Sequence, residues 1–134
     1  MQRPNPTIGM RHIALFVRQF DACRHFYGDL LGMALEWQPD PDNVYLTSGH
    51  DNLALHRVSG EVEDAGFQRL DHLGFILETP ADVQDWYEFL LAHGVRMKTR
   101  PRQHRDGAVS FYCFDPDGNT VQMIYHPPLA KNKA

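Results

Sequence analysis

The sequence contains an internal repeat, and this feature restricts the possible folds more than any other. Residues 11–17 read Arg-His-Ile-Ala-Leu-Phe-Val and residues 71–77 read Asp-His-Leu-Gly-Phe-Ile-Leu, with the two histidines 60 positions apart. The same spacing aligns Tyr27 with Tyr87 without a gap. Two copies of one motif in a chain of this length are expected to fold as two equivalent modules.

The repeat continues into the second half of each copy. Residues 45–56 align with 111–122 at an offset of 66, mainly through their apolar pattern. We therefore predict a first module at about 8–58 and a second at about 68–126. A polar linker at 59–66 joins them, and together they form one domain that spans all 134 residues.

Each module is predicted to begin with an apolar strand, followed by a helix and three short strands, in the order βαβββ. In the second module, Thr79 is a typical N-cap, Pro80 suits the first helical position and Gly94 ends the helix. In the first module, Asp21 is the predicted cap and Gly32 the predicted stop. Strands after the helices are predicted at 35–38, 44–48 and 52–58, and at 95–99, 108–114 and 120–125.

Composition argues against several classes of function. Thirteen Lys and Arg against 17 Asp and Glu give a net charge of −4, which does not attract the phosphates of nucleic acid. No apolar run approaches the roughly 18 residues of a membrane span, and the N-terminal residues do not resemble a signal peptide. We therefore expect a cytoplasmic protein without nucleic-acid or membrane partners. Its two cysteines, Cys23 and Cys113, are expected to be reduced thiols.

Two of the eight histidines, His12 and His72, lie at the same point of the two repeats, at the start of the first strand. Each shares a strand face with a small residue two positions later, which leaves room for a cavity. In the last strands, the offset of 66 matches His56 with Gln122. Imidazoles bind borderline divalent ions such as iron, zinc, nickel, cobalt or manganese. The sequence therefore predicts a metal site from His12, His72, Gln122 and His56.

A basic segment, residues 100–107, precedes the strand that contains Tyr112. Such a run of charges is usually a solvated loop, and we expect this for Arg100 and Arg102. Arg105 is the candidate for contact with an anionic substrate at the mouth of a pocket.

Three segments carry a family resemblance: Met-Arg-His-Ile-Ala-Leu-Phe-Val at 10–17, Phe-Tyr-Gly-Asp-Leu-Leu-Gly-Met at 26–33, and Phe-Tyr-Cys-Phe-Asp-Pro-Asp-Gly-Asn-Thr-Val-Gln at 111–122. In this order they resemble the vicinal oxygen chelate superfamily, which includes glyoxalase I, extradiol dioxygenases, and fosfomycin and bleomycin resistance proteins. The resemblance implies an α+β fold. Its two βαβββ modules form a cup-shaped, mixed and mainly antiparallel sheet with helices on its convex face.

The resemblance also implies a divalent metal ion held by the first and last strands of the modules, at His12, His56, His72 and Gln122. Most metal-dependent members have Glu where this chain has Gln122. In extradiol dioxygenases, a histidine that is not a ligand acts as acid and base, and a tyrosine helps to bind the substrate. His56 and Tyr112 resemble these two residues, so His56 has two alternative roles, as ligand or as acid and base.

The function implied by the resemblance is that of a metal-dependent enzyme, a dioxygenase or a glyoxalase-type lyase. Its substrate is a small molecule that chelates the metal through neighbouring oxygens. The alternative is a metal-free, bleomycin-resistance-like protein that binds a small molecule and has a degenerate metal site. Small members commonly pair their modules across two chains, so a homodimer is expected.

Overall fold

The computed structural model describes residue 2, residues 10–60 and residues 70–130, and the chain divides into two compact units. The first unit, Met1–Val62, contains β1 (His12–Val17), α1 (Phe20–Arg24), β2 (Ala34–Asp40), β3 (Asn43–Thr47) and β4 (Asn52–Arg57). The second unit, Glu63–Ala134, contains β5 (Leu73–Leu77), α2 (Pro80–Ala92), β6 (Arg102–Gln103), β7 (Val109–Phe114), β8 (Thr120–Tyr125) and α3 (Pro127–Ala130). The predicted α+β class with two βαβββ modules is confirmed.

In the first unit, the four strands form a mixed sheet in the order β1-β4-β3-β2. Strands β1 and β4 are parallel, and the other two pairs are antiparallel. One face of the sheet is apolar because residues such as Val17, Leu55 and Val44 are completely buried. Phe20 and Cys23 of α1 are buried as well, so this helix packs on the apolar face and leaves the polar face open.

The second unit repeats this topology with the sheet order β5-β8-β7-β6, in which only β5 and β8 are parallel. Helix α2 begins as predicted: the Thr79 side chain accepts a hydrogen bond from the Asp82 amide, and the Asp82 carboxylate accepts one from the Thr79 amide. Its Tyr87 ring packs edge to face against Phe111 at 5.4 Å, on the side of the sheet that α2 covers. Gly94 follows the helix with φ of +79°, the left-handed conformation that favours glycine.

One prediction for the first helix was wrong. Asp21 does not cap α1; it lies in the first turn, and its carboxylate is 3.6 Å from Arg57. The helix continues directly as a π-helical segment, His25–Leu30, and the predicted stop at Gly32 follows with φ of +81°.

The strand predicted at 95–99 is reduced to a single bridge between Met97 and Cys113. The amides of Lys98 and Thr99 both donate to the carbonyl of Tyr112, which interrupts the regular ladder. The short strand β6 forms further along, inside the segment predicted to be a solvated loop. No helix within 10–60 or 70–130 has the length and apolar composition of a membrane span. The predicted linker lies outside the described residues beyond Gly60. That the two units make one domain stays a prediction.

The strand register also corrects the alignment of the two repeats. Gln122 pairs with Gly74 in β5 and with Tyr112 in β7. In the first unit, Ala54 occupies the same position, because it pairs with Ala14 in β1 and with Tyr45 in β3. The offset between the last strands is therefore 68 rather than 66. The matched residue of Gln122 is Ala54 and not His56.

Both cysteines are free and completely buried, as the sequence predicts. Burial, reinforced by the negative charge of Asp115, raises the pKa of the Cys113 thiol to about 12. The thiol therefore stays protonated at neutral pH, and a protonated, buried thiol is neither a nucleophile nor a metal ligand.

Asp115 organises the turn between β7 and β8. Its buried carboxylate accepts hydrogen bonds from the amides of Asp117 and Asn119 and from the Asn119 side chain, at 2.8 to 2.9 Å. We expect Asp115→Ala to lower the free energy of unfolding by about 3 kcal/mol, because three donors lose a charged acceptor. Urea unfolding measures this effect. Asp85→Asn, on the exposed side of α2, is the matched control. A loss below about 1 kcal/mol in Asp115→Ala would contradict this account of the turn.

Candidate functional site

In the second unit, the candidate residues share the sheet face opposite α2. The pairing of Gln122 with Gly74 and Tyr112 places these three residues side by side across β5, β8 and β7. His72 immediately precedes β5 and has the parity of Gly74, so its side chain lies on the same face. Its ring meets the ring of Tyr112 edge to face at 5.3 Å. The structure therefore brings His72, Tyr112 and Gln122 together in one patch.

His72 is held by the residue that precedes it. The Nδ1 atom of His72 lies 2.6 Å from a carboxylate oxygen of Asp71. This hydrogen bond, with the charge of His72 as a second cause, lowers the pKa of Asp71, so the acceptor is a carboxylate. In the neutral form of His72 the hydrogen lies on Nδ1, which donates to Asp71, and the lone pair of Nε2 is then available to a metal ion. A carboxylate bound to the other ring nitrogen is the usual support of a metal-binding histidine.

Gln122 is similarly oriented by a buried hydroxyl. Its amide nitrogen donates a hydrogen bond to Oγ of Ser110 at 3.2 Å. The amide oxygen, Oε1, is then left to coordinate a metal ion. Gly74 lies beside this oxygen: a Cβ there would be 3.8 Å from it, so the absence of a side chain keeps the space next to Oε1 open. The amide therefore presents an oxygen to the open face of the sheet.

His104 completes this network, and the sequence prediction missed it. Its Nε2 atom lies 2.9 Å from Oγ of Ser110, so the hydroxyl connects His104 with Gln122. Ser110 is 2% exposed, which fixes its position. The only signal for this contact in the sequence is that His104, Ser110 and Gln122 all have even numbers, as residues on one face of paired strands can have. The charged neighbours of His104 suggest a solvated loop instead.

In the first unit, His12 lies on the sheet face opposite α1 and is held by a chain of two hydrogen bonds. Its Nδ1 is 2.7 Å from the amide oxygen of Asn52, its neighbour in β4. The amide nitrogen of Asn52 donates to Glu36 at 3.2 Å. Because the Asn52 oxygen must accept, Nδ1 of His12 is the donor, and Nε2 again remains free.

His56 has the same kind of support at the other end of β4. Its Nδ1 is 2.6 Å from the amide oxygen of Asn43, whose nitrogen donates to Asp40. The hydrogen bond from Asn43 lowers the pKa of Asp40, so the last acceptor in the chain is ionised. Its ring lies 5.6 Å from Phe16 and 6.1 Å from Tyr45. With Nδ1 donating to Asn43, Nε2 is the ring nitrogen of His56 that is left to exchange a proton.

His12 and His56 share a face of the first sheet but are separated along it. His12 pairs with Asn52, and His56 lies four residues further along β4, a distance of about 13 Å. Two imidazoles held at these positions cannot both make metal bonds of about 2 Å to one ion. The register and this separation argue against His56 as a ligand next to His12. The role of acid and base for His56 stays a prediction.

Arg105 lines a cavity of about 410 Å³ together with Gln122, Ile124 and His104. The predicted substrate-binding residue therefore lies on the same surface as a candidate ligand. Within the part of the chain that the structure describes, no three or more His, Cys, Asp or Glu side chains lie together as a metal cluster. His12, His72 and Gln122 each have one polar atom hydrogen-bonded and another left over, and they stay candidates for metal ligands.

The fold and these polar faces define a class: an α+β protein of two βαβββ units with candidate ligands on the first and last strands. Residues 9–123 match the family described as the Glyoxalase/Bleomycin resistance protein/Dioxygenase superfamily. The chain belongs to this superfamily, which confirms the resemblance given by the sequence.

Two relatives and one solved structure illustrate the range of similar proteins. The chain is 27% identical over 124 residues to the uncharacterized protein YqjT of Bacillus subtilis (strain 168), covering 86% of this chain and 97% of that protein. It is 28% identical over 116 residues to biphenyl-2,3-diol 1,2-dioxygenase 2 of Rhodococcus globerulus, covering 84% of this chain but only 60% of the dioxygenase. Lactoylglutathione lyase from Agrobacterium tumefaciens superposes with a TM-score of 0.75 at 21% identity, covering 95% of this chain and all of the lyase chain. At that identity the structural likeness shows the fold alone.

Proposed function

We propose that this protein is a metal-dependent enzyme that acts on a small molecule with two neighbouring oxygen atoms. The proposed metal ligands are His72 and Gln122 in the second unit and His12 in the first. The observation that carries this proposal is common to the three residues. In each, a hydrogen bond fixes one polar atom and leaves the other free: Nε2 in the histidines and Oε1 in the glutamine.

Three protein ligands leave coordination positions for a chelating substrate. Ala54, at the position that matches Gln122, has no donor atom, so it supplies no fourth ligand. Two histidines with one oxygen ligand resemble the facial arrangement of non-haem iron oxygenases, although here the oxygen belongs to a neutral amide. When bound, the ion supplies Lewis-acid polarisation of the substrate oxygens.

Other side chains of the two site faces have separate tasks. The phenol of Tyr112, next to Gln122 and His72, donates a hydrogen bond to a substrate oxygen. His56 takes up and returns a proton at Nε2, because Asn43 holds the hydrogen at Nδ1. Arg105, which lines the cavity beside Gln122 together with Asp106, adds positive charge that attracts an anionic substrate to this surface. The similarity to biphenyl-2,3-diol 1,2-dioxygenase 2 of Rhodococcus globerulus supports dioxygenase chemistry over lyase chemistry.

Metal dependence is tested by thermal unfolding of the untagged protein with Fe²⁺, Zn²⁺, Ni²⁺, Co²⁺ or Mn²⁺. We expect at least one ion to raise Tm by roughly 10 °C at 100 times its Kd, because a ligand that binds only the folded state stabilises it. If none of the five ions shifts Tm, the metal-dependent function is contradicted, and the metal-free binding protein is favoured.

Dioxygenase activity has its own test. The iron-loaded protein is mixed with biphenyl-2,3-diol, and oxygen consumption is measured. We expect uptake that depends on both the diol and the metal, because the diol presents two adjacent oxygens to the ion. Absence of uptake from a protein that binds iron would contradict the dioxygenase assignment without affecting the metal site.

We also propose that the protein is a homodimer, in line with the expectation from its family. Phe16 and Trp37 support an interaction surface, since they are 76% and 59% exposed although they are large and apolar. Gel filtration with light scattering should give twice the 15.4 kDa of one chain. A mass of one chain at micromolar concentration would contradict the dimer.

A further inference from the structure

The segment 96–105 concentrates positive charge in an otherwise acidic chain. It contains five of the 13 Lys and Arg residues and no acidic residue, whereas the whole chain has a net charge of −4. The basic and titratable side chains alternate along it, at positions 96, 98, 100, 102 and 104. Where the segment is paired, at Met97 and at Arg102–Gln103, this period directs such side chains to one face.

The register shows that this face is the one with the candidate ligands. Arg102 pairs with Ser110, and the Arg96 guanidinium lies 4.3 Å from the centre of the Phe114 ring. Ser110, Tyr112 and Phe114 alternate along β7, so their side chains lie on one face of the strand, and Tyr112 pairs with Gln122. The charges of the segment therefore lie beside the polar patch of the second unit and not on the side covered by α2.

A cavity of about 590 Å³ lies at this place. Besides Pro101, its lining consists of cationic, titratable or hydroxyl side chains: Thr99, Arg100, Arg102, His104, Ser110 and Tyr112. Within the described residues, no carboxylate lies at ion-pair distance from Arg100 or Arg102. The ion pairs of the described residues have Arg57, His25 and His72 as their basic partners. Two arginines thus face one cavity without an internal anion.

We propose that this cavity binds the anionic group, a carboxylate or a phosphate, of the small molecule on which the site acts. The inference rests on the proposed function, because it assigns a substrate class to the same sheet face. Arginine binds planar oxyanions through paired N–H groups, and the hydroxyls of Ser110 and Tyr112 supply further donors. Tyr112 belongs to both the cavity and the patch with His72 and Gln122, so the anion lies next to the reacting part of the molecule.

The proposal changes the interpretation of the basic segment. A solvated loop would have its guanidinium groups dispersed in water, with no common cavity and no fixed hydroxyl donors. Here a buried hydroxyl, that of Ser110, lines the cavity and lies 2.9 Å from Nε2 of His104. A fixed donor beside two unpaired cations is the arrangement expected for recognition of an oxyanion.

The test uses calorimetric titration of the full chain with benzoate, phenyl phosphate and the uncharged analogue benzamide, each with EDTA and again with zinc. We expect one of the two anions to bind in both conditions, at least about tenfold more tightly than benzamide, since a charged hydrogen bond is worth about that factor. Arg102→Gln and Arg100→Gln should each weaken the binding about tenfold. Arg24→Gln, in α1 of the first unit, is the matched control and should leave it unchanged.

The outcomes separate this inference from the proposed function. Preference for benzoate or for phenyl phosphate identifies the group as a carboxylate or a phosphate. Binding that is lost in EDTA and insensitive to Arg102→Gln would overturn the anion cavity, because the metal would then be the binding group. Equal affinity for benzamide, or no binding of either anion at about 10 mM, would overturn it as well. Anion binding that depends on Arg102 in a protein that binds no metal would support the cavity and contradict the metal-dependent function.

Discussion

Replacement of His72 by alanine is expected to weaken divalent metal binding by at least about 100-fold. His72 is the ligand with the best support in the second unit, because the Asp71 carboxylate holds its Nδ1 at 2.6 Å and leaves Nε2 free. Without the imidazole, Gln122 is the only proposed ligand left in that unit. Metal content after purification without a histidine tag, followed by titration of the metal-free protein, measures the loss.

The control for this experiment is a histidine outside the site. His50 lies exposed between β3 and β4, and His50→Ala should keep the metal affinity of the original chain. His12→Ala should lose affinity to the same extent as His72→Ala. Equal metal content in all four proteins would contradict the proposed ligands, whereas equal loss in His50→Ala would indicate nonspecific binding by surface histidines.

Replacement of Gln122 by glutamate is expected to increase the affinity for divalent ions by at least about tenfold. The substitution keeps the position of the oxygen donor and adds a negative charge to a ligand set that is otherwise neutral, and ligand charge is a principal determinant of metal affinity. Ser110 can support the new carboxylate, because its hydroxyl is a donor as well as an acceptor. Competition with a metal indicator gives the change in Kd.

The matched control adds the same charge elsewhere. Gln38→Glu lies in β2 of the first unit, where no metal ligand is proposed, and it should leave Kd unchanged. If Gln122→Glu leaves the affinity unchanged as well, the amide oxygen of Gln122 is not a ligand. If both variants bind metal more tightly to the same extent, the effect is that of net charge alone.

The elements with local signals could be predicted from the sequence. Strand β8 at Thr120–Tyr125 and helix α2 at Pro80–Ala92 have the predicted positions, because turn residues and the Thr79 cap mark their ends. The start of the helix in the first unit was harder to predict. Asp21 is of a residue type that often caps helices, but its carboxylate lies near Arg57, which is distant in sequence. The segment 95–99 has strand-like composition but is attached to β7 through one bridge.

The repeat identified His12 and His72 correctly as matched positions at the start of two strands. It failed in the last strands because a shift of two residues leaves every side chain on the same face of a strand, so the apolar pattern does not distinguish offsets of 66 and 68. Only the pairing of Gln122 with Gly74, and of Ala54 with Ala14, resolves the choice. The contact of His104 with Ser110 also depends on how the strands pair, so it could not be predicted from the sequence either.

The most direct test of the proposed metal site is X-ray absorption spectroscopy of the metal-loaded protein. The account predicts two imidazole ligands, from His12 and His72, with the remaining ligands oxygen atoms from Gln122 and water. It predicts no sulfur at about 2.3 Å, because both cysteines are buried and burial raises the pKa of the Cys113 thiol to about 12. A spectrum with those two imidazoles, reduced to one in His72→Ala, would support the site. A spectrum with sulfur ligands, or with two imidazoles that persist in His72→Ala, would contradict it.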